Sequence, residues 1–584
     1  MNYSLIVFSV IFFSINFVVS RPVLLDGHSY SHNIINNKVD SKLTCELCKA
    51  IFAEVQKLAE QGKTEDELAK IITDICIIFQ LQDDNVCHLV VPEFRDEVLT
   101  VAFTVGLNGD EVCGIILGPT CGIPYDPFNQ TWSVKMLNTT KPPIKEMKLP
   151  AKGAKQTRIL HITDIHYDAM YTEGLSIDCG EPLCCRPPNK PNATYGAHKW
   201  GEFKCDLSTI LLHNFMQKVV AMKNDYDVIY VTGDLPPHNV WNQSRDDQIT
   251  AISYVINLFK TMLPNKKVYF AVGNHEGLPV NAFPPVNVKE AHSGQWLRDF
   301  LSEKWGNWLP EDTKQTIQQG IFYTTLVKPG LRIISLNMNY CNNRNWWLLI
   351  NATDPAGQLQ WLVRTLQSAE DKGERVHIIG HIPSGGGDCI KTWSWQYFKI
   401  LLRYENTISA QFMGHTHNDI FTVYFDPNNI TRPFSVLFTA GSVTPLTDLN
   451  PGFKIFSVDG GYKECSWGVL DFTSYYMDLM QVDRDDKPVW NIQYKASEVY
   501  GIQAGYPKYM SDLLTKFTKN DTLFGKYINY RAKSAPHSVC NASCKKSVLC
   551  EMRCGRSHDE TTFCNLNEKE RKYHNIRIQE ELTC

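Results

Sequence analysis

The sequence predicts an α/β protein built around a layered β-sandwich flanked by helices. An all-α region stands ahead of it and a helical, disulfide-containing region behind. Three observations carry this reading. Between residues 156 and 480, short apolar runs alternate with amphipathic stretches, as strands and helices packed in layers require. Residues 41–125 place apolar side chains at helical spacing around six cysteines. Residues 481–584 turn amphipathic again and end in a second cysteine cluster. A chain of 584 residues exceeds one ordinary domain. Its net charge of -4 includes no basic stripe, so nucleic acid is not an expected partner.

The first segment, MNYSLIVFSVIFFSINFVVS, is apolar, with small residues at positions 18 and 20 that suit cleavage after Ser20. Residues 1–20 are therefore expected to be a signal peptide, although no Lys or Arg precedes the apolar stretch; a transmembrane anchor is the competing reading. Later segments are not apolar enough to span a bilayer. Sequons at Asn129, Asn138, Asn192, Asn242, Asn351, Asn429, Asn520 and Asn541, with 19 cysteines, suit an oxidising lumen. A secreted or lysosomal destination follows. The odd cysteine count leaves at least one without an intrachain partner.

In region 41–125, Cys45 and Cys48 share a helical face with Leu47, Ile51 and Phe52. Thr64 opens TEDELAKIITDICIIFQ as a cap, with acidic residues suiting the helix dipole. No second CxxC or His pair accompanies Cys45 and Cys48, which argues against a zinc or redox pair. Residues 126–155 read as a linker, with KPPIKEMKLPAKGAK holding three prolines and five lysines. In the central region, Asp354 can cap and Pro355 can begin a helix that Gly373 closes before the strand VHIIG. The aromatic stretch KTWSWQYF, Lys391 to Phe398, reads as a loop. It suits a core cluster better than a lining for lipid or choline.

Five apolar runs end in metal-capable side chains. RILHITDIH delivers Asp164 and His166, DVIYVTGD delivers Asp234, and VYFAVGNHE delivers Asn274 and His275. RVHIIGH delivers His381, and SAQFMGHTH delivers His415 and His417. Functional groups gather beyond the carboxyl ends of strands in α/β sheets, so neighbouring strands would bring these to one edge. Singly, each is an ordinary turn residue. Together they suit two divalent metals. Asp164, His166, Asp234 and His417 can hold one. Asp234 as a bridge, with Asn274, His381 and His415, can hold the second. The donor mixture favours two Zn2+, with other divalent metals compatible. Such a pair activates water as hydroxide for attack at phosphorus. His275 adjoins a ligand yet is outside the set, so it can protonate a leaving alkoxide; His238, in GDLPPHNVW, is a second catalytic candidate.

This five-block series, from about Ile159 to Asn418, resembles the calcineurin-like metallophosphoesterases. The cysteine spacing of 41–125 resembles a saposin-type domain, and the whole architecture resembles the acid sphingomyelinase family. The resemblance maps the family's two catalytic histidines onto His238 and His275 and its ligands onto the seven residues above. It implies bridges Cys45–Cys121, Cys48–Cys113 and Cys76–Cys87, although six cysteines alone permit fifteen pairings. It also implies Cys179–Cys184, Cys185–Cys205, Cys341–Cys389, Cys540–Cys544 and Cys550–Cys564. Cys465, Cys554 and Cys584 are left open, with a Cys465–Cys554 bridge or a free Cys584 as alternatives.

The expected activity is hydrolysis of sphingomyelin, or a related phospholipid, to ceramide and phosphocholine. The saposin-type domain would contact the membrane, and no obligate protein partner is expected. Two rivals are a phosphodiesterase or phosphatase for nucleotides or other soluble phosphoesters, and a non-catalytic lipid-binding protein.

Overall fold

The computed structural model describes residues 41–564 apart from 79, 81, 118–120, 122–131, 190, 192–195, 287, 289–291 and 537–538. The expected signal segment, Asn129, Asn192 and Cys584 lie outside the described residues. The other six sequon asparagines are exposed.

Two six-stranded sheets form the centre. The first runs β12-β11-β10-β1-β2-β3, from β1 (Gln156–Ile162), β2 (Val228–Val231), β3 (Lys267–Phe270), β10 (Gly452–Asp459), β11 (Val469–Met477) and β12 (Trp490–Lys495). The second runs β4-β5-β6-β7-β9-β8, from β4 (Tyr323–Lys328), β5 (Leu331–Ser335), β6 (Arg375–Ile379), β7 (Ile408–Met413), β8 (Phe421–Asp426) and β9 (Asn429–Thr439). In the first sheet β1, β2 and β3 are parallel while β10, β11 and β12 pair antiparallel; in the second, β5, β6, β7 and β9 are parallel and the edge strands β4 and β8 antiparallel. Strands such as VIYV of β2 are buried at every residue, as expected where both faces are covered.

The sheets meet through aromatic rings. Tyr230 of β2 and Phe412 of β7 lie 5.4 Å apart, and Phe412 lies 5.1 Å from Phe456 of β10. Helices cover the outer faces. Phe215 of the helix Thr209–Ala221 reaches Phe453 at 5.7 Å, and Phe398 of Lys391–Arg403 stacks on Tyr424 at 5.9 Å. KTWSWQYF is thus helical, a correction to the expected loop. Trp393, Tyr397, Phe398, Ile400 and Leu401 recur at helical spacing and are buried in the core.

The register makes the parallel strands end level. Ile162 pairs with Val231, Val231 with Phe270, and Ile379 with Phe412. The chain therefore leaves β1, β2, β3, β6 and β7 along one edge.

Helices Ser41–Glu60, Glu65–Ile78, Asp84–Val105 and Gly109–Leu117 form the N-terminal region, with bridges Cys45–Cys121, Cys48–Cys113 and Cys76–Cys87. Thr64 and Glu67 bond reciprocally at the second helix, capping it. The segment 132–155 has no regular element but lies on the central body, where Thr139 Oγ1 donates to Gln367 at 2.7 Å and Lys145 N to Asn406 at 2.9 Å.

The remaining bridges are Cys179–Cys184, Cys185–Cys205, Cys341–Cys389, Cys540–Cys544 and Cys550–Cys564. Cys465 and Cys554 are buried thiols, so the alternative bridge between them is absent. Pro355 occupies a short 3-10 turn instead of starting the helix, which spans Gln358–Asp371; Asp354 still accepts from Leu359 N and Gln360 N. Residues after 480 are not helical throughout. Strand β12 extends the first sheet, since Trp490, Ile492 and Tyr494 alternate along an edge.

Candidate metal centre

Each strand end turns abruptly. Asp164, His166, Asp234, His415 and His417 have φ of 51°, 45°, 57°, 71° and 55°. Left-handed backbone is uncommon without glycine, and its clustering at five potential ligands points to a functional constraint. Glycine allows the turns to crowd together. A Cβ on Gly273 would stand 2.1 Å from Asp234 Oδ1, so no other residue fits between β2 and β3 at this level.

The side chains converge in two sets. Asp164, His166 and His417 place ligand atoms within 4.8 Å of one another, and so do Asp234, His381 and His415. Asp234 Oδ2 lies 3.5 Å from His166 Nε2 and 3.0 Å from His381 Nε2, reaching both sets. Asn274 Oδ1 is 3.0 Å from His381 Nε2 and 3.0 Å from His415 Nδ1. His417 Nε2 is 3.2 Å from His166 Nε2. All seven sequence-derived ligands come together, and all are buried.

Surrounding groups aim the rings. Nδ1 of His166 donates to the Pro236 carbonyl at 2.8 Å, and Nδ1 of His381 to that of Thr232 at 2.6 Å, turning both Nε2 atoms inward. His415 is reversed: Nε2 donates to Asp388 at 2.8 Å, leaving Nδ1 at the centre. The inward set is thus dominated by acceptors, carboxylate and amide oxygens and ring nitrogens, which a cation satisfies and another acceptor does not. The residues present fit a pair of divalent ions.

The electrostatics agree. Burial raises Asp164, with the Asp234 charge adding to it and His381 opposing. Burial also opposes ionisation of Asp234, but His381 and His275 outweigh it and hold the carboxyl well below its usual range. Burial disfavours a proton on His381, yet Asp234 and Asp164 lift its pKa to about 9.

His238 and His275 sit beside the first set, with ring centroids 3.8 Å and 4.7 Å from His166 and 4.4 Å from each other. His238 Nδ1 is held at 2.8 Å by Asp206, and its buried Nε2 has no hydrogen-bond partner. His275 N donates to Asp234 Oδ1 at 2.9 Å, and its buried Nδ1 is likewise without a partner. Burial pushes the His275 pKa down to about 3.

Three positioning groups escaped the sequence reading. Glu276 accepts from the amides of Asp234, Leu235 and Gly273 at 3.2, 2.8 and 2.6 Å, tying the ends of β2 and β3 together. It stands within GNHEG, where its place beside Asn274 and His275 was a usable signal. Asp388 follows three glycines in GGGDC, another signal. Asp206 lies between Cys205 and the helix cap Ser208, with nothing in its surroundings to mark it.

Residues 157–419 match the family model for calcineurin-like phosphoesterase, and residues 432–568 match that for the acid sphingomyelin phosphodiesterase C-terminal region. The first match implies a dinuclear metal centre, in keeping with the clustered Asp and His side chains. The chain is 40% identical to the sphingomyelin phosphodiesterase of Bos taurus over 557 residues, covering 93% of this chain and 88% of that protein. It is 39% identical to the Homo sapiens sphingomyelin phosphodiesterase, covering 93% and 87%. Sphingomyelin phosphodiesterase 2 of Caenorhabditis elegans is 34% identical, covering 92% and 90%. By these relatives and by both family models, the chain belongs to the acid sphingomyelin phosphodiesterase family.

Proposed function

We propose that this chain is a phosphoric diester hydrolase that cleaves sphingomyelin to ceramide and phosphocholine. The observation that carries the reading is the convergence of two acceptor-lined triads sharing Asp234, with two unsatisfied histidines beside them. The substrate comes from the relatives, which are named sphingomyelin phosphodiesterases.

Asp164, His166, Asp234 and His417 would hold one ion, and Asp234, Asn274, His381 and His415 the other. The nitrogen-rich donors favour zinc. When bound, such a pair supplies water activation and neutralises charge on the phosphoryl group. The chain's own side chains do the rest. His275 gives a proton to the ceramide oxygen as its bond to phosphorus breaks, avoiding release of a strongly basic alkoxide. Burial keeps His275 neutral in the free site, and an anionic diester beside it favours the charged form. His238, oriented by Asp206, turns Nε2 toward a phosphate or leaving-group oxygen.

Residues 41–125 serve in this reading as a saposin-type domain that contacts the lipid surface, with 126–155 as connector, 156–480 as the catalytic domain and 481–584 as the C-terminal region. Cleavage after Ser20, glycosylation at the sequons and a secreted or lysosomal location belong to the same proposal.

Purified protein should turn over sphingomyelin vesicles in preference to nucleotide diesters and monoesters. Equal or faster nucleotide turnover would favour the soluble-phosphoester reading instead.

A further inference from the structure

Lys533 is fully buried, although it follows the helix Asp521–Arg531 and is remote in sequence from every strand end of the centre. Its ammonium donates to the Ser442 carbonyl at 2.9 Å and to Ser442 Oγ at 2.6 Å. Burying an ammonium is costly unless its donors are well met, so its position calls for a reason. Its stem runs between two glycines: a Cβ on Gly441 would lie 2.4 Å, and one on Gly452 2.8 Å, from Lys533 Cδ. Lys533 and Ser534 are both left-handed, with φ of 52° and 58°, and Asn450 Nδ2 donates to the Lys533 carbonyl at 3.1 Å. Backbone in this region persists only where its surroundings enforce it.

The held segment, 442–444, touches one of the two ligand sets and the support of the neighbouring His238. Ser442 N donates to the His417 carbonyl at 3.0 Å; Val443 N and Thr444 N donate to that of Asp164 at 3.1 and 3.0 Å. Thr444 Oγ1 donates to Asp206 Oδ1 at 3.1 Å, the oxygen that holds His238 Nδ1. One short segment therefore fixes the backbones of two ligands of a single triad and the carboxylate behind a catalytic candidate.

We propose that Lys533 is a positioning residue of the phosphodiesterase centre, delivered by the C-terminal region. It clamps 442–444 and, through that segment, the Asp164–His166–His417 set and the Asp206–His238 pair. This rests on the hydrolase reading above. The C-terminal region is then part of the scaffold of the centre, and its role is more than covering the sheet.

Zinc titration of the chelator-stripped full chain tests the clamp. Wild type should bind two equivalents. Lys533→Met should weaken one of them by about 10-fold or more, as loss of a supporting contact does, and leave the other unchanged. Its kcat should fall with KM nearly constant. Combined with Thr444→Val, the two losses in kcat should be sub-additive, because both act through one segment. Should Lys533→Met not fold, Lys533→Gln carries the same measurements. Two wild-type-like zinc affinities in the variant, equal weakening of both, or fully additive losses would overturn the clamp alone. A wild-type chain that binds no zinc would overturn the underlying reading and the clamp with it.

Discussion

Asp206 shows how much of the centre is set by residues that touch no ligand. Both its oxygens are used on His238, one on the ring at 2.8 Å and one on the backbone amide at 2.6 Å. Asp206→Asn should leave metal content unchanged while lowering kcat about 10- to 100-fold, the usual effect of losing a supporting hydrogen bond. Elemental analysis beside steady-state kinetics checks this, and an unchanged kcat would remove His238 from the scheme. The candidate ligands themselves were legible in the sequence because each breaks an apolar run just after it surfaces. Asp206 and Lys533 were not. Their importance depends on which loop they meet after folding, and neither carries a periodic or local mark of it.

Among the elements, the helix Asp84–Val105 carries an unusual burden. Glu97 is 2% exposed and accepts from Trp346 N at 3.1 Å; burial raises its pKa from 4.5 to about 8, with that hydrogen bond opposing. Burial and the charge of Asp247 raise Glu93 from 4.5 to about 8 as well. Both line a cavity of about 260 Å³ that Asp96, Arg245, His292 and Arg298 also face. The sign follows from linkage. A pKa raised on docking favours the docked, protonated state, fully below about 4.5, and this contribution is lost as pH rises through about 8. Amide exchange in Asp84–Val105, corrected for intrinsic rates, should therefore be slower at pH 5 than at pH 8.5. Glu97→Gln should reduce the difference, leaving the Glu93 contribution, and equal protection at both pH values in the wild type would contradict it. Helical spacing made this element legible. The same spacing in Lys391–Arg403 was obscured by the density of aromatic residues in KTWSWQYF, which read as an irregular cluster, and β12 was hidden among amphipathic helices.

The whole molecule joins its sheets through buried polar contacts as well as aromatic rings. Lys454 of β10 forms a buried ion pair with Asp419, beyond β7, and donates to the Thr439 carbonyl at the end of β9 at 2.9 Å. Lys454→Met would leave Asp419 buried without its cation. It should destabilise the fold by about 3–5 kcal/mol in denaturant unfolding, and a change near zero would show the pair to be dispensable. The layered α/β organisation could be read from alternating runs. The strand order could not, because β10, β11 and β12 return to flank β1 from far along the chain. The level parallel strands of the two sheets place five strand ends around one acceptor-lined space. Anomalous diffraction from crystals of the purified protein, at the absorption edge of its native metal, tests that claim directly. Two peaks about 3.5–4 Å apart are expected, one within reach of Asp164, His166 and His417, the other near Asn274, His381 and His415, with Asp234 between them. A single peak, or metal bound only elsewhere, would contradict the account.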